Sequence, residues 1–235
     1  MSRRKTRVKV LPAILTAVAV FVGVLALSVG LQLITSPDFH GFKKDPVPTP
    51  EVTFVTGSDS SGGKDGPAVF NWKDHHVFVI GDSLTKGATK EIEKAIDNVT
   101  VDALEGRTMA GGVKILQDWK DTGVVTRDGI IVICLGNNIS GSTLSDVQTI
   151  VDMIETGQSL IMMTGNGLSN MAPSNELIRT LPNIYPFVTV ADWELTIKQS
   201  PNLLSNDGVH IARNQGNVLY AELIVRALEV SQPKP

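Results

Sequence analysis

A serine, an aspartate and a histidine in this sequence have the types and spacing that acyl transfer requires. Ser83 follows the apolar run 77–80 and a Gly-Asp pair, directly before a polar, helix-competent segment. Asp207 and His210 lie three residues apart near the end of the chain. An aspartate at this spacing can orient and charge-stabilise an imidazole, which can then take a proton from a serine hydroxyl. The sequence therefore predicts Ser83 as nucleophile, His210 as base and Asp207 as its orienting partner.

Each half of this prediction also has a simpler explanation. Asp82 and Ser83 are both good helix N-caps, so the Gly-Asp-Ser turn by itself is equally well a cap. Asp207 by itself could cap the last predicted helix and leave His210 as an exposed loop residue. The occurrence of both features in one chain favours the catalytic interpretation.

The other three histidines are less suitable as the base. His40 lies in a proline-rich segment, and His75 and His76 precede the first predicted strand. In a parallel sheet, that position is the edge opposite Ser83. We therefore expect these three histidines to be surface or strand-edge residues.

An acyl-transfer serine also needs hydrogen-bond donors for the developing oxyanion. The candidates are the backbone N–H of Ser83, the N–H of Gly106 and the side-chain amide of Asn137 or Asn138. Asn138 is well placed because it follows the third predicted strand. Either asparagine could instead be an ordinary turn residue.

The elements that must position these residues alternate between strand and helix patterns. Apolar runs predict strands at 77–80, 99–103, 129–135, 159–163 and 187–191, with helices at 84–97, 109–120, 143–156, 174–181 and 213–229. This alternation predicts right-handed βαβ units and a parallel sheet covered on both faces. We expect a three-layer, flavodoxin-like α/β domain with strand order 2-1-3-4-5. All the candidate residues then fall at the carboxyl ends of strands, where such sheets bind ligands.

The N-terminal segment has a different character. Residues 10–35 contain no charged side chain and follow five basic residues, so they can cross a bilayer with the N-terminus in the cytoplasm. A cleaved signal peptide is the alternative, but its apolar region is normally shorter and ends in a small-x-small site. We expect a basic tail over 1–9, an uncleaved anchor over 10–35, a flexible Pro/Gly/Ser linker over 36–72 and an extracytoplasmic domain over 73–231.

Composition limits the possible partners. The first nine residues carry +5, which leaves −8 for the remainder of a chain whose formal charge is −3. An acidic domain argues against nucleic acid as a partner, because phosphate binding needs a basic face. Cys134 is the single cysteine and lies in an apolar run, so we expect it in the core. No His/Cys/Asp cluster has metal-ligand spacing, and no cofactor is predicted.

The candidate residues also resemble the sequence blocks of the SGNH/GDSL hydrolases. The similarity covers residues 75–230 and comprises Gly81-Asp82-Ser83-Leu84, a glycine after strand two, Gly-x-Asn after strand three, and a late Asp-x-x-His. The resemblance implies the SGNH fold, with Ser83 as nucleophile and the Asp-x-x-His pair as its partners. It also implies an oxyanion hole formed by the N–H groups of Ser83 and Gly106 and the side chain of Asn138.

Within that family, the sequence is most similar to the extracytoplasmic domain of peptidoglycan O-acetyltransferases. The shared segments are Gly106-Arg107, Val190-Ala191-Asp192-Trp193 and Asp207-Gly208-Val209-His210. Those proteins move acetyl groups onto muramic acid, and their domain is usually fused to a multi-span membrane acyltransferase. Two positions depart from the family pattern: Ile139 follows Asn138, and Thr108 stands where glutamine is usual. Both departures concern acceptor binding and therefore the transferase assignment.

Together, these features predict a membrane-anchored extracytoplasmic serine esterase or O-acyltransferase. It would perform acetyl ester chemistry on a cell-envelope glycan through an acyl-enzyme on Ser83. A separate multi-span acyltransferase is an expected partner if the reaction is transfer, because this chain has one predicted span. The alternative is a non-catalytic glycan- or protein-binding domain on the same scaffold, since fold does not determine function.

Overall fold

Five parallel strands form the centre of the described part of the chain, which comprises residues 70–167 and 169–235 of a computed structural model. The strands are β1 (Val77–Gly81), β2 (Val99–Ala103), β3 (Ile130–Cys134), β4 (Ser159–Met163) and β5 (Val188–Ala191), in the order β2-β1-β3-β4-β5. Every pair is parallel. The predicted flavodoxin-like strand order is confirmed, and each strand boundary lies within one residue of its prediction.

Six α-helices connect and follow these strands. They are α1 (Ser83–Ala95), α2 (Met109–Asp121), α3 (Thr143–Asp152), α4 (Ala172–Thr180), α5 (Trp193–Lys198) and α6 (Asn214–Glu229). Short 3₁₀ helices cover Trp72–Asp74, Ser169–Met171, Leu181–Asn183 and Pro201–Leu203. The short helix α5 is absent from the sequence-based prediction.

The sheet is covered on both faces, so the fold has three layers. Alternate residues of β3 point to opposite faces: Ile130 and Val132 pack with α1 and α6, whereas Ile131 and Ile133 pack with the helices of the other face. All five residues of β3 are buried, which explains why its sequence is apolar throughout rather than alternating.

Two predicted helices run two or more residues past their observed ends. The helix predicted over 143–156 ends at Asp152, because the Met153 and Ile154 N–H groups bond to carbonyls three residues back and Gly157 then adopts a φ of 91° before β4. The helix predicted over 84–97 ends at Ala95, because Ile96 is extended and buries its side chain in the core. The apolar pattern in the sequence continues past the ends of both helices, because residues of the connecting turns also face the core.

The predicted anchor over 10–35 lies outside the described residues, as does the linker up to residue 69. Within the part that the structure describes, no helix combines the length and apolar character that crossing a membrane requires.

Candidate active site

Ser83 is the first residue of α1, at a tight turn after β1. Asp82 is the N-cap, and its Oδ1 accepts a hydrogen bond from the Leu84 N–H at 3.0 Å. The turn requires glycine at position 81, because a Cβ there would lie 2.0 Å from Thr85 Oγ1. The cap and the nucleophile position are therefore both present: Asp82 caps the helix, and the half-buried Ser83 stands at its N-terminus, where backbone N–H groups lack intrahelical acceptors.

The structure brings the three predicted catalytic residues together. Ser83 Oγ lies 3.0 Å from His210 Nε2, and His210 Nδ1 lies 2.7 Å from Asp207 Oδ2. An ionised carboxylate can only accept, so His210 Nδ1 carries the proton and Nε2 accepts from the Ser83 hydroxyl. This is the arrangement of a serine, its general base and the orienting group of that base.

Asp207 orients His210 and does not cap the last helix, which begins at Asn214. Its Oδ1 accepts hydrogen bonds from Ser205 Oγ at 2.6 Å and from the N–H groups of Val209 and His210 at 2.9 and 3.0 Å. The Ser205 hydroxyl, then His210 and these two amides hold the pKa of Asp207 well below its usual range. The carboxylate is thus ionised at neutral pH and can stabilise an imidazolium at His210.

The candidate oxyanion donors lie at the same edge of the sheet. Asn138 Nδ2 donates to Asp82 Oδ2 at 3.2 Å, which holds the amide beside the residue that precedes Ser83. The second hydrogen of that amide can be donated to a ligand. Gly106 lies in the exposed turn after β2 with a φ of 72°, and β2 ends level with β1.

The structure distinguishes the two asparagines that the sequence left as alternatives. Asn137 is buried and faces the loop after β4, where its Oδ1 accepts from the Asn166 N–H at 3.1 Å. Asn138 faces the Asp82-Ser83 turn instead. Only Asn138 therefore has its amide on the serine side of the loop after β3.

Asp82 is an unusual carboxyl because it is almost fully buried. Burial raises the pKa of Asp82 to about 6, against the opposing effects of the N–H groups of Leu84 and Asn137, the charge of His210 and the Asn138 amide. The carboxyl group that contacts Asn138 therefore changes charge at a higher pH than an ordinary aspartate does.

Two residues that support the site, Arg107 and Thr108, have roles that the sequence alone did not indicate. Arg107, which the sequence marked only through its Gly-Arg pair, is buried and donates to the carbonyls of Gly81 and Asp102 at 3.1 and 2.6 Å. It thereby joins the ends of β1 and β2. Thr108, one of the departures from the family pattern, caps α2 by accepting from the Gly111 N–H.

The segment around Asp192 has a structural role at the end of β5. The Asp192 carboxylate accepts hydrogen bonds from Arg179 Nε at 2.7 Å and from Thr164 Oγ1 at 2.9 Å, and Asp192 caps α5. These contacts fix the loop after β4 to the start of α5. Asp192 belongs to the Val190-Ala191-Asp192-Trp193 segment that resembles the acetyltransferases, and its contacts explain that segment as support for the loop.

Cys134 is buried beneath the site and does not extend it. Burial raises the pKa of the Cys134 thiol to about 12, so it is not a nucleophile at neutral pH. Among the residues that the structure describes, no three or more His, Cys, Asp or Glu side chains are grouped to hold a metal ion.

The strand order, and a serine at a helix N-terminus that is joined through His210 to Asp207, form the arrangement that the resemblance to the SGNH hydrolases implies. The chain is 25% identical over 153 residues to a Bacillus subtilis (strain 168) protein named "Putative peptidoglycan O-acetyltransferase YrhL". That match covers 65% of this chain and 24% of the relative, so the chain spans about a quarter of the relative's length. No protein-family model matches the sequence.

Solved structures show the same fold. The C-terminal catalytic domain of peptidoglycan O-acetyltransferase A from Streptococcus pneumoniae, solved with a methylsulfonyl adduct, is similar with a TM-score of 0.63 and 24% identity. The similarity covers 68% of this chain and 96% of that domain. A lipolytic G-D-S-L family protein from Veillonella parvula is similar with a TM-score of 0.55 and 16% identity, over 65% of this chain and 97% of that one.

Proposed function

We propose that this protein is a serine esterase or O-acyltransferase that acts on acetyl esters of a cell-envelope glycan. The observation that carries the proposal is the continuous contact from Ser83 Oγ through the His210 ring to Asp207. Because one imidazole contacts both partners, it can take the serine proton while its charge is stabilised.

The geometry supports a two-step reaction. His210 Nε2 takes the proton as Ser83 Oγ attacks the ester carbonyl, and the oxyanion accepts hydrogen bonds from the Ser83 and Gly106 N–H groups and the Asn138 amide. Collapse of the tetrahedral intermediate breaks the ester C–O bond, and His210 returns its proton to the leaving alcohol. In the second step His210 deprotonates water or a sugar hydroxyl, which attacks the acetyl-Ser83 carbonyl and releases the serine.

The choice of glycan as substrate follows from the similar proteins. Both the Bacillus subtilis relative and the Streptococcus pneumoniae domain are named as peptidoglycan O-acetyltransferases. For transfer, we propose that a separate multi-span membrane protein delivers the acetyl group. We further propose that residues 10–35 anchor this chain as a single span, with the N-terminus cytoplasmic and the SGNH domain outside.

The test of ester chemistry is hydrolysis of a chromogenic acetyl ester by the purified full chain. Ser83→Ala should lower kcat by about 10⁴-fold or more, because removing the nucleophile disables the whole triad. The matched control is Ser145→Ala, an exposed serine on α3, which should leave kcat unchanged. Equal background rates in wild type and Ser83→Ala would refute the enzyme proposal and favour the binding-domain alternative.

Transfer and hydrolysis are separated by the acceptor. The protein is given an acetyl donor with and without a chitooligosaccharide or muropeptide, and the products are identified by mass spectrometry. Acetylated sugar would establish transfer, and acetate alone would establish hydrolysis. The anchor is tested separately: membrane-fraction protein that begins before residue 10 supports it, and a mature N-terminus after residue 30 refutes it.

A further inference from the structure

Two buried asparagines link the loop that carries His210 to the loops after β3 and β4. Asn137 and Asn166 are each 7% exposed. Asn137 accepts from the Asn166 N–H at 3.1 Å and donates to the Asn166 carbonyl at 3.4 Å, so it holds the Asn166 backbone from both sides. Asn166 Nδ2 then donates to the carbonyl of Gly208 at 3.0 Å, between Asp207 and His210.

The backbones of these three loops are in direct contact. A Cβ on Gly136 would lie 2.2 Å from Gly165 N, and a Cβ on Gly165 would lie 2.1 Å from Gly136 O. A Cβ on Gly167 would lie 2.5 Å from Val209 Cγ2 and 2.8 Å from the Gly208 carbonyl. Only glycine fits such contacts, so the loops after β3 and β4 form a fixed support for the histidine loop.

The loop after β4 is held on its other side as well. Asn175, which is buried in α4, accepts from the Gly165 N–H at 2.9 Å and donates to the Gly165 carbonyl at 2.8 Å. Asn166 therefore follows a residue whose N–H and carbonyl are both bonded to α4. Its side chain projects from a rigid base toward Gly208.

The histidine loop, in contrast, is exposed and bonds mainly to its own segment. The side chains of Asp207 and His210 are 51% and 53% exposed. The Ser205 N–H bonds to the His210 carbonyl, and the Ala212 N–H bonds to the Leu203 carbonyl. Such bonds shape the loop but do not fix its distance from Ser83. A misplacement of about 1 Å can cost a factor of about 10² in rate, so this distance matters.

We propose that Asn166 is a positioning residue that holds the Asp207–His210 loop, through the Gly208 carbonyl, at the distance from Ser83 that proton transfer needs. This inference rests on the proposed function of the site. No reacting atom contacts Asn166; it acts through the backbone of the loop that carries the base.

The kinetic test is Asn166→Asp, which keeps the size of the side chain and replaces the N–H donor to Gly208 with an oxygen. The matched control is Gln158→Glu at the opposite end of β4, because Gln158 is 2% exposed and also donates to a loop carbonyl, that of Thr126 at 2.9 Å. Both variants should lower Tm. Only Asn166→Asp should lower kcat on a small acetyl ester, by about 10- to 100-fold with KM changed less than about threefold.

If Asn166→Asp does not fold, Asn166→Ser, which introduces a smaller side chain, tests the positioning role instead. The same kcat loss is expected for it. Equal kcat in the Asn166 and Gln158 variants, whether preserved or reduced, would overturn the positioning role.

A second measurement does not depend on turnover. The Val209 and His210 amides both bond to Asp207 Oδ1, so their hydrogen exchange reports on the loop directly. We expect exchange about tenfold faster in Asn166→Asp and unchanged in Gln158→Glu. Unaltered exchange in Asn166→Asp would overturn the inference, whereas absence of ester hydrolysis in the wild type would overturn the proposed function alone.

Discussion

Both edges of the sheet carry a histidine, a carboxylate and a hydroxyl, but the two sets are connected differently. At the carboxyl edge a single imidazole joins both partners: His210 lies 2.7 Å from Asp207 Oδ2 through Nδ1 and 3.0 Å from Ser83 Oγ through Nε2. A proton can therefore leave the hydroxyl for a ring whose positive charge is already compensated.

At the amino edge the same groups are divided between two imidazoles. His75 Nδ1 lies 3.3 Å from Asp128 Oδ2 in a geometry that makes no hydrogen bond, while His76 Nε2 is 2.8 Å from Thr100 Oγ1. Each ring stacks on a phenylalanine, with centroids 4.6 and 4.4 Å apart. These histidines contribute packing and local hydrogen bonds, and no relay connects carboxylate to hydroxyl.

The surroundings of the two hydroxyls differ as well. Ser83 is at the N-terminus of α1, where free N–H groups can bind an anion. Thr100 lies within β2, paired in register with Phe78 of β1, so its backbone belongs to the sheet. A histidine, a carboxylate and a hydroxyl become a candidate catalytic set only when one ring uses both nitrogens and anion donors surround the hydroxyl.

The largest predicted difference between the edges is in activity after loss of a histidine. His210→Ala should lower kcat for acetyl ester hydrolysis by about 10⁴-fold or more, because the triad acts as a unit. His75→Ala should keep kcat within about threefold and lower the unfolding free energy by about 1 kcal/mol through loss of ring stacking. A folded His75→Ala protein without activity would contradict the assignment of catalysis to His210 and of packing to His75.

The next largest effect comes from comparing one asparagine at each edge. Asn138 follows β3 at the carboxyl edge, and Asn98 precedes β2 at the amino edge. Asn138→Ala should lower kcat by about 10²–10³-fold with little change in KM, as expected for removal of one oxyanion donor. Asn98→Ala, an exposed turn residue before β2, should change neither constant. A loss confined to KM in Asn138→Ala would show that the amide binds substrate rather than the transition state.

Much of the carboxyl edge was predictable because its signals are local. The Gly-Asp-Ser turn and the Asp-x-x-His segment are each readable within a few residues, and the strand order follows from the βαβ alternation. Parallel strands must then place Ser83, Asn138 and His210 on one edge, although 127 residues separate the serine from the histidine.

The supporting contacts were not predictable, because they depend on packing between distant loops. Asn137 and Asn166 are 29 residues apart, and nothing in either local sequence indicates that one amide holds the backbone of the other. The burial of Asp82, and with it the raised pKa, likewise depends on how closely the loops around the turn pack. Periodicity also extended the helix at 143–156 past its true end, since the residues that follow α3 still face the core.

One aspartate at each edge should make the free energy of unfolding depend on pH, and the two dependences should have opposite signs. Burial raises the pKa of Asp82 from 3.8 to about 6, so protonated Asp82 favours the folded state and its contribution is lost as pH rises from about 4 through 6. The Thr126 hydroxyl lowers the pKa of Asp128, so the contribution of that group is present above pH 3.8 and is lost as pH falls below it.

Urea unfolding of Asp82→Asn and Asp128→Asn between pH 3 and 8 measures this difference. Relative to wild type, Asp82→Asn should gain stability between pH 4 and 7, up to about 3 kcal/mol. Asp128→Asn should be less stable than wild type above pH 4 and should match the stability of wild type only below pH 4. The same sign for both variants would show that Asp82 is ionised and stabilised in the folded protein, contrary to its burial.

The smallest effects are expected at two ion pairs on the rim of the sheet, one at each edge, whose carboxylates are exposed. Lys86 Nζ lies 3.0 Å from Glu105 at the carboxyl edge, and Lys120 Nζ lies 2.5 Å from Glu155 at the amino edge. Both glutamates are well exposed, so water and salt screen their charges. Glu105→Gln should change kcat less than about threefold, with the change vanishing in high salt, and Glu155→Gln should not change it. A salt-independent loss above about tenfold would place Glu105 in the catalytic set and extend that set onto the rim.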